Sequence, residues 1–196
     1  IEKNSKQGTY KITGRNPKEF PETSEEKNRE KFILEGQNFY NIIEKTGYAT
    51  SKDDLKPALS GVYVKIETNQ ITSVATDGHR LVKNKQQTET KTNLSLTIPY
   101  KFLKIIKNNI NKKETIEIEV DENSLSTKQK EFKITTRIIK ESFPDFNSAI
   151  PENNKIKAEV DTEVLTRCLK RVSIFANRET KQTILTFSKN GLIVSA

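Results

Sequence analysis

The feature that most constrains this chain is that it repeats itself. Near the start stands TYKITGRNPKEFPETSEEKNREKFILEGQNFYNIIEKTGYAT, and further on EFKITTRIIKESFPDFNSAIPENNKIKAEVDTEVLTRCLKRVSIFANRET. Each copy opens with an alternating strand pattern around Lys-Ile-Thr, at Lys11 to Thr13 and at Lys133 to Thr135. Each continues through Phe-Pro (Phe20-Pro21, Phe143-Pro144), a charged linker, a short strand and an amphipathic helix. The copies lie roughly 120 residues apart, far beyond a solenoid period, which predicts duplicated domains and not an array of small units. Residues 1–29 then form the tail of one copy, 30–153 a complete copy, and 154–196 the opening of a third.

The complete copy is itself doubled. KFILEG reads as a strand, and GQNFYNIIEKTG as a helix with Phe39, Ile42 and Ile43 on one face and Gly47 as its stop. SGVYVKIETNQITSVATDGHRLVKN gives three strands, with Thr-Asn-Gln and Asp77-Gly78 as turns. LSLTIP starts the second half, followed by the helix YKFLKIIKNNI opened by Pro99, then the strands TIEIEV, SLSTKQ and FKITTRII. Strand, helix and three strands occur twice, which predicts an α+β domain with its helices on one side of antiparallel sheets.

Charge then suggests a partner. The formal net charge is +8, which favours anionic partners with nucleic acid first. In the helix from Tyr100 to Ile110, Phe102, Leu103, Ile106 and Ile110 form the apolar stripe, while Lys101, Lys104 and Lys107 lie on the other side. The helix after Asp161 turns Val164, Leu165, Cys168, Leu169 and Val172 inward and projects Arg167, Lys170 and Arg171. Two basic helices at equivalent repeat positions predict a shared electrostatic surface. The helix at Gly36 to Thr46, with Glu44 beside Lys45, does not add to it. Lysines without base-reading or stacking side chains contact phosphates and hold DNA without reading its sequence. No helix-turn-helix or zinc finger is legible.

Catalysis finds little support. The only histidine, His79, stands in SVATDGHRLV, and the only cysteine, Cys168, sits on an apolar helix face. One histidine without paired cysteines falls short of a metal site, and the chain has neither a Walker loop nor GxGxxG, so no metal or cofactor is expected. One cysteine excludes an internal disulfide framework and suits a reducing compartment. No run approaches membrane-spanning length. Two alternatives stay open at this level: a nonspecific basic DNA-binding module, and a hydrolase or nuclease using His79 with Asp77 or Asp145.

LKPALSGVYV, SVATDGHRLV, ESFPDFNSAIP and VSIFANRETKQTILTFSKNGLIVSA resemble the bacterial DNA sliding clamps, the beta subunit of DNA polymerase III. The resemblance covers essentially the whole chain. It implies the DNA-clamp fold, with three similar domains per subunit and a head-to-tail homodimer ring of the full-length protein around duplex DNA. It also implies a non-catalytic processivity factor in the bacterial cytoplasm, associated with the nucleoid. Residues 1–29 would be the end of domain 1, 30–153 all of domain 2, and 154–196 the start of a truncated domain 3.

Carried over by motif, the pocket that takes short peptides from polymerase, clamp loader and repair proteins would use Leu59, Thr76, Gly78, His79, Arg80, Leu81 and Pro144. Ser148, Ala149 and Thr180 also fall at pocket positions. Clamps often place an arginine and a larger aliphatic at the first two, and a larger apolar residue at the third, so a shallower, less basic rim is expected here. The DNA-facing set would be Lys52, Lys56, Lys101, Lys104, Lys107, Arg167, Lys170 and Arg171. The basic balance is a departure, since clamps are often acidic overall with a basic lining.

Overall fold

The computed structural model describes residues 2–5, 8–19, 29–189 and 191–196; the Phe20-Pro21 copy of the repeat lies outside them. The chain divides into two compact units, residues 1–147 and 148–196. The first opens with an antiparallel hairpin, β1 (Glu2–Ser5) and β2 (Gly8–Lys11). Lys11 ends β2, so Ile12 and Thr13 of the repeated tripeptide follow the strand.

The body of this unit is built twice over. Its first half runs β3 (Glu30–Glu35), α1 (Gly36–Thr46), β4 (Gly61–Glu67), β5 (Gln70–Thr76) and β6 (Leu81–Gln87). The second runs β7 (Leu94–Pro99), α2 (Tyr100–Asn109), β8 (Thr115–Val120), β9 (Ser124–Gln129) and β10 (Phe132–Arg137). The halves do not make separate sheets. One sheet has the order β10-β9-β8-β3 and the other β6-β5-β4-β7. Each half therefore lends its first strand to the other's sheet, with Phe32 opposite Ile118 and Val64 opposite Leu96 in antiparallel register. A half on its own would leave a three-stranded sheet with an open edge, a template for mispairing.

Alternation sorts the strands into two faces. Phe32, Leu34, Ile116, Ile118 and Leu125 from one sheet and Val62, Val64, Ile66, Ile71 and Ile98 from the other face the helices. Phe39, Ile42 and Ile43 of α1 and Phe102, Leu103 and Ile106 of α2 complete the same core. Both helices thus cover one side of the sheets. Each fully buried side chain of this kind stabilises the fold by roughly 1.5–3 kcal/mol relative to exposure.

The helices run antiparallel, the end of α1 at Gly47 meeting the start of α2 at Tyr100. Gly47 is not a left-handed stop; its φ is −58°, and the chain continues into a 3-10 turn, Gly47–Ala49. Its constraint is space, since a Cβ there would lie 2.5 Å from the Tyr100 ring. The reciprocal contact uses Gly36 at the start of α1, where a Cβ would lie 2.5 Å from the carbonyls of both Asn111 and Glu114.

The second unit contains α3 (Thr162–Val172) and a hairpin, β11 (Ile184–Ser188) with β12 (Gly191–Ser195). Asp161 caps α3, its Oδ1 accepting from the Val164 N–H at 2.8 Å. The apolar stripe expected to face inward is only partly covered. Leu165, Cys168, Leu169 and Val172 are half-buried and Val164 is exposed, because a two-stranded sheet is too narrow to enclose a helix face.

Candidate functional site

The stretch around His79 forms the loop between β5 and β6. Thr76 pairs with Leu81, which leaves four residues to turn, and Gly78 supplies the positive φ of 93°. Asp77 organises the turn. Its Oδ1 accepts from the backbone N–H groups of His79 and Arg80, each at 3.0 Å, and its Oδ2 from Arg80 Nε at 3.0 Å. The Arg80 and His79 backbone donors, in that order, hold the carboxyl down at about 2, against a usual 3.8. Asp77 is therefore an acceptor committed to its own loop. Thr76 closes the other side, its Oγ1 donating to the Arg80 carbonyl at 2.7 Å and accepting from Gly78 N–H.

A second segment holds this loop in place. Arg80 Nη2 donates to the Tyr48 carbonyl at 3.0 Å, and its guanidinium lies 5.9 Å from the Tyr48 ring centre. Three residues on, Ser51 N–H donates to the Leu59 carbonyl at 2.8 Å. Residues 48–51 thus link Leu59 with the Thr76–Leu81 loop. Leu59 and Leu81 are half-buried, and Gly78, His79 and Arg80 are exposed.

Pro144 arrives from β10. Ile138 N–H donates to the Asn123 carbonyl and Ile139 N–H to the Thr97 carbonyl, both at 3.0 Å, which carries the chain across the edge strand β7. Gly61 permits the crossing, since a Cβ would lie 2.7 Å from Ile139 Cδ1. The segment then lies on the face of the β6-β5-β4-β7 sheet that turns away from the helices. Register puts Thr97, Tyr63, Val74 and Lys83 in one row across that face, with Thr76 and Leu81 one step along. Phe143 stacks on Tyr63 at 5.3 Å, and Phe146 lies 5.9 Å from Tyr63 and 6.4 Å from Phe143. Lys83 Nζ sits 4.9 Å from the Phe146 ring centre and donates to Asn147 Oδ1 at 3.0 Å. A groove of about 730 Å³ remains, lined in part by Tyr63, Thr97, Ile139 and Pro144.

The first unit therefore brings Leu59, Thr76, Gly78, His79, Arg80 and Leu81 into one cluster and sets Pro144 on the same sheet face. Ser148, Ala149 and Thr180 belong to the second unit, where all three are exposed. Sequence reasoning passed over Tyr48, Tyr63, Lys83 and Phe146. Tyr63 was detectable, as an aromatic at an outward position of GVYVKIE among Lys65 and Glu67. Nothing in the sequence points to the backbone role of Tyr48.

The basic residues are distributed unevenly. Lys52, Lys56, Lys101 and Lys104 are exposed, as are Arg167, Lys170 and Arg171 on α3. Lys107 is half-buried, with Nζ 2.5 Å from Glu44 Oε2 on α1. Among the described residues no group of three or more His, Cys, Asp or Glu side chains could hold a metal ion, and no helix is long and apolar enough to cross a membrane.

Two interlocked halves with paired helices on one side of their sheets make up the fold of DNA polymerase sliding clamps. The structure matches the Bacillus subtilis sliding clamp with a TM-score of 0.81 at 22% identity, covering 99% of this chain and 55% of that one. The Thermotoga maritima DNA polymerase III beta subunit matches with a TM-score of 0.79 at 25% identity, covering 99% and 56%. In sequence, the beta sliding clamp of Rickettsia felis is 30% identical over 171 residues, 84% of this chain and 45% of its own length. That of Staphylococcus aureus is 28% identical over 190 residues, 94% and 49%. Residues 33–145 match the DNA polymerase III beta subunit central-domain family, and the chain belongs to the bacterial beta sliding clamp family. It spans about half the length of the curated relatives it matches.

Proposed function

We propose that this chain is part of a non-catalytic processivity clamp that encircles duplex DNA and tethers the replicative polymerase and other partners through short peptides. The observation that carries this reading is the separation of two surfaces within residues 30–147. Lys101 and Lys104 project from α2 on the helix side, while Thr76, Leu81 and the Phe143-Pro144 segment occupy the opposite face of the β6-β5-β4-β7 sheet. Two partners of different chemistry can then be held at once.

The physics of each surface suits its role. Exposed lysines make sequence-blind phosphate contacts, and a closed ring needs nothing stronger, because topology prevents sideways dissociation and weak contacts permit sliding. A peptide pocket on the other face raises the polymerase's effective concentration at the template. The structural use of Asp77 agrees with a pocket wall and not with a general base.

In this reading residues 1–29 close domain 1, 30–153 form domain 2 and 154–196 open domain 3. The full-length subunit forms a head-to-tail dimeric ring. Ser148, Ala149 and Thr180 complete the pocket rim, and Lys52, Lys56, Arg167, Lys170 and Arg171 join the DNA-facing set. Clamp loader and repair proteins use the same pocket as the polymerase.

Leu81→Lys in the full-length subunit tests the pocket. Titrating a labelled peptide with a glutamine and hydrophobic anchors should show a loss of about 2 kcal/mol or more, with duplex DNA affinity nearly intact. His79→Gln should be mild. Unimpaired binding by the Leu81 variant would reject the pocket. Retention on nicked circular but not on linear DNA tests encirclement; equal retention on both would leave a nonspecific basic module.

A further inference from the structure

We infer that Glu44 of α1 withholds Lys107 from nucleic acid, so that α2 offers phosphate contacts through Lys101 and Lys104 only. This inference rests on the reading that the helix side of the fold faces DNA, and it refines how strongly that side grips. Helical period separates the three lysines. Lys101 and Lys104 lie on the outward surface of α2, whereas Lys107 lies on the flank shared with Tyr100, next to α1.

Several groups converge on Lys107 there. Its ammonium is 2.5 Å from Glu44 Oε2 and 5.8 Å from the Tyr40 ring centre, while Lys112 Nζ approaches the other partner, Tyr40, to 3.5 Å of that centre. The hydrogen bond between Lys107 and Glu44 is the leading cause that raises the lysine's pKa and lowers the carboxylate's, and Tyr40 also hydrogen-bonds Glu44. Both groups are charged at neutral pH. A phosphate approaching Lys107 must displace a carboxylate already seated on it and then stand beside that carboxylate, which repels it. Among the described residues no carboxylate pairs with Lys101 or Lys104, and both are exposed.

The consequence for a clamp is a tuned grip. Each neutralised phosphate releases counterions and adds about 0.9 to the slope of log affinity against log salt. A moderated slope suits a protein that must hold DNA and still move along it. Glu44 then sets the strength of the DNA face even though its charge is of the wrong sign to bind there.

The test measures salt slopes by fluorescence anisotropy with a labelled duplex oligonucleotide and this chain, checking by circular dichroism that every variant melts as the parent does. Lys101→Gln with Lys104→Gln should lower the slope by about 1.8. Lys107→Gln alone should leave it unchanged. Glu44→Gln should raise it by about 0.9, and that gain should vanish when Lys107→Gln is added. If Lys107→Gln alone lowers the slope as one outward lysine would, the inference is overturned. It is equally overturned if the Glu44→Gln gain survives in the Lys107→Gln background, because the effect would then be simple removal of a negative charge. No response to the Lys101 and Lys104 changes would instead reject the DNA-facing reading, and the inference with it.

Discussion

The two halves of residues 30–147 share one topology and differ on their outward faces. On the β10-β9-β8-β3 sheet that face is a set of ion pairs centred on Glu119. Its carboxylate meets Lys31 at 2.7 Å, Lys133 at 3.0 Å and Arg29 at 3.3 Å, and Arg29 also reaches Asp121. On the β6-β5-β4-β7 sheet the equivalent face carries Val74 beside Tyr63, with Phe143 and Phe146 against the Tyr63 ring. A duplicated scaffold constrains the inward face, which must fill one core, and leaves the outward face free to diverge. Here one sheet neutralises its own charges and the other gathers aromatic and apolar groups around the candidate pocket.

The helix contacts show the same divergence more quietly. Each helix start meets the other helix's end, and each meeting needs one small residue. In one it is the start, Gly36, under the backbone of residues 111–114; in the other it is the end, Gly47, under the Tyr100 ring.

The largest expected effect would break the symmetry at that contact. Gly36→Ala should destabilise the first unit by about 3 kcal/mol, because the new methyl meets two backbone carbonyls that cannot rotate away. Alanine's better helix propensity, worth at most about 1 kcal/mol, does not offset it. Urea denaturation measures the loss; parental stability would show that the backbone there yields freely.

Next is the aromatic face. Phe143→Ala should cost about 2 kcal/mol through lost stacking on Tyr63. The same variant should weaken peptide binding, while the ion-paired sheet is untouched. A thermal melt unchanged from the parent would mean the segment rests on the sheet without contributing.

The charged face should respond to pH as the aromatic one does not. Glu119 is buried, and its hydrogen bonds to Lys31 and then Lys133 hold its carboxyl at about 2 against a usual 4.5. A depressed carboxyl pKa stabilises the fold fully above the unfolded value, and this is lost as pH falls from about 4.5 towards 2. Glu119→Gln should cost about 1–2 kcal/mol at neutral pH and flatten the acid limb of the stability profile. An acid limb as steep as the parent's would assign that pH dependence to other carboxylates.

Gly47→Ala should have the smallest effect, a loss of about 1 kcal/mol, since its φ is ordinary for alanine and the obstacle is a side-chain ring. If it matched Gly36→Ala in calorimetry, the Tyr100 ring would be as fixed as backbone, and the two contacts equivalent.

Much of the fold was legible because its cues are local. The period of apolar residues in QNFYNIIEKT and YKFLKIIKNN places α1 and α2, alternation places β3 to β10, and Asp77-Gly78 places a turn. The resemblance carried by ATDGHRL and FPDF pointed to the loop and to Pro144, and local hydrogen bonding explains Asp77 as its organiser. The repeat itself was visible as two copies of one order of elements.

Residue spacing within single segments therefore sets the helices and strands of residues 30–137, their inward faces and the doubling of their pattern. Long-range packing decided that β3 joins β8 and β7 joins β4, that Phe143 stacks on Tyr63 with Phe146 tilted beside it, that Tyr48 secures Arg80, and that Glu44 occupies Lys107. Each of these joins residues tens of positions apart. Their pairing is fixed by which faces must share one core and by the close approaches that Gly36, Gly47 and Gly61 permit, and neither condition is written in any local period.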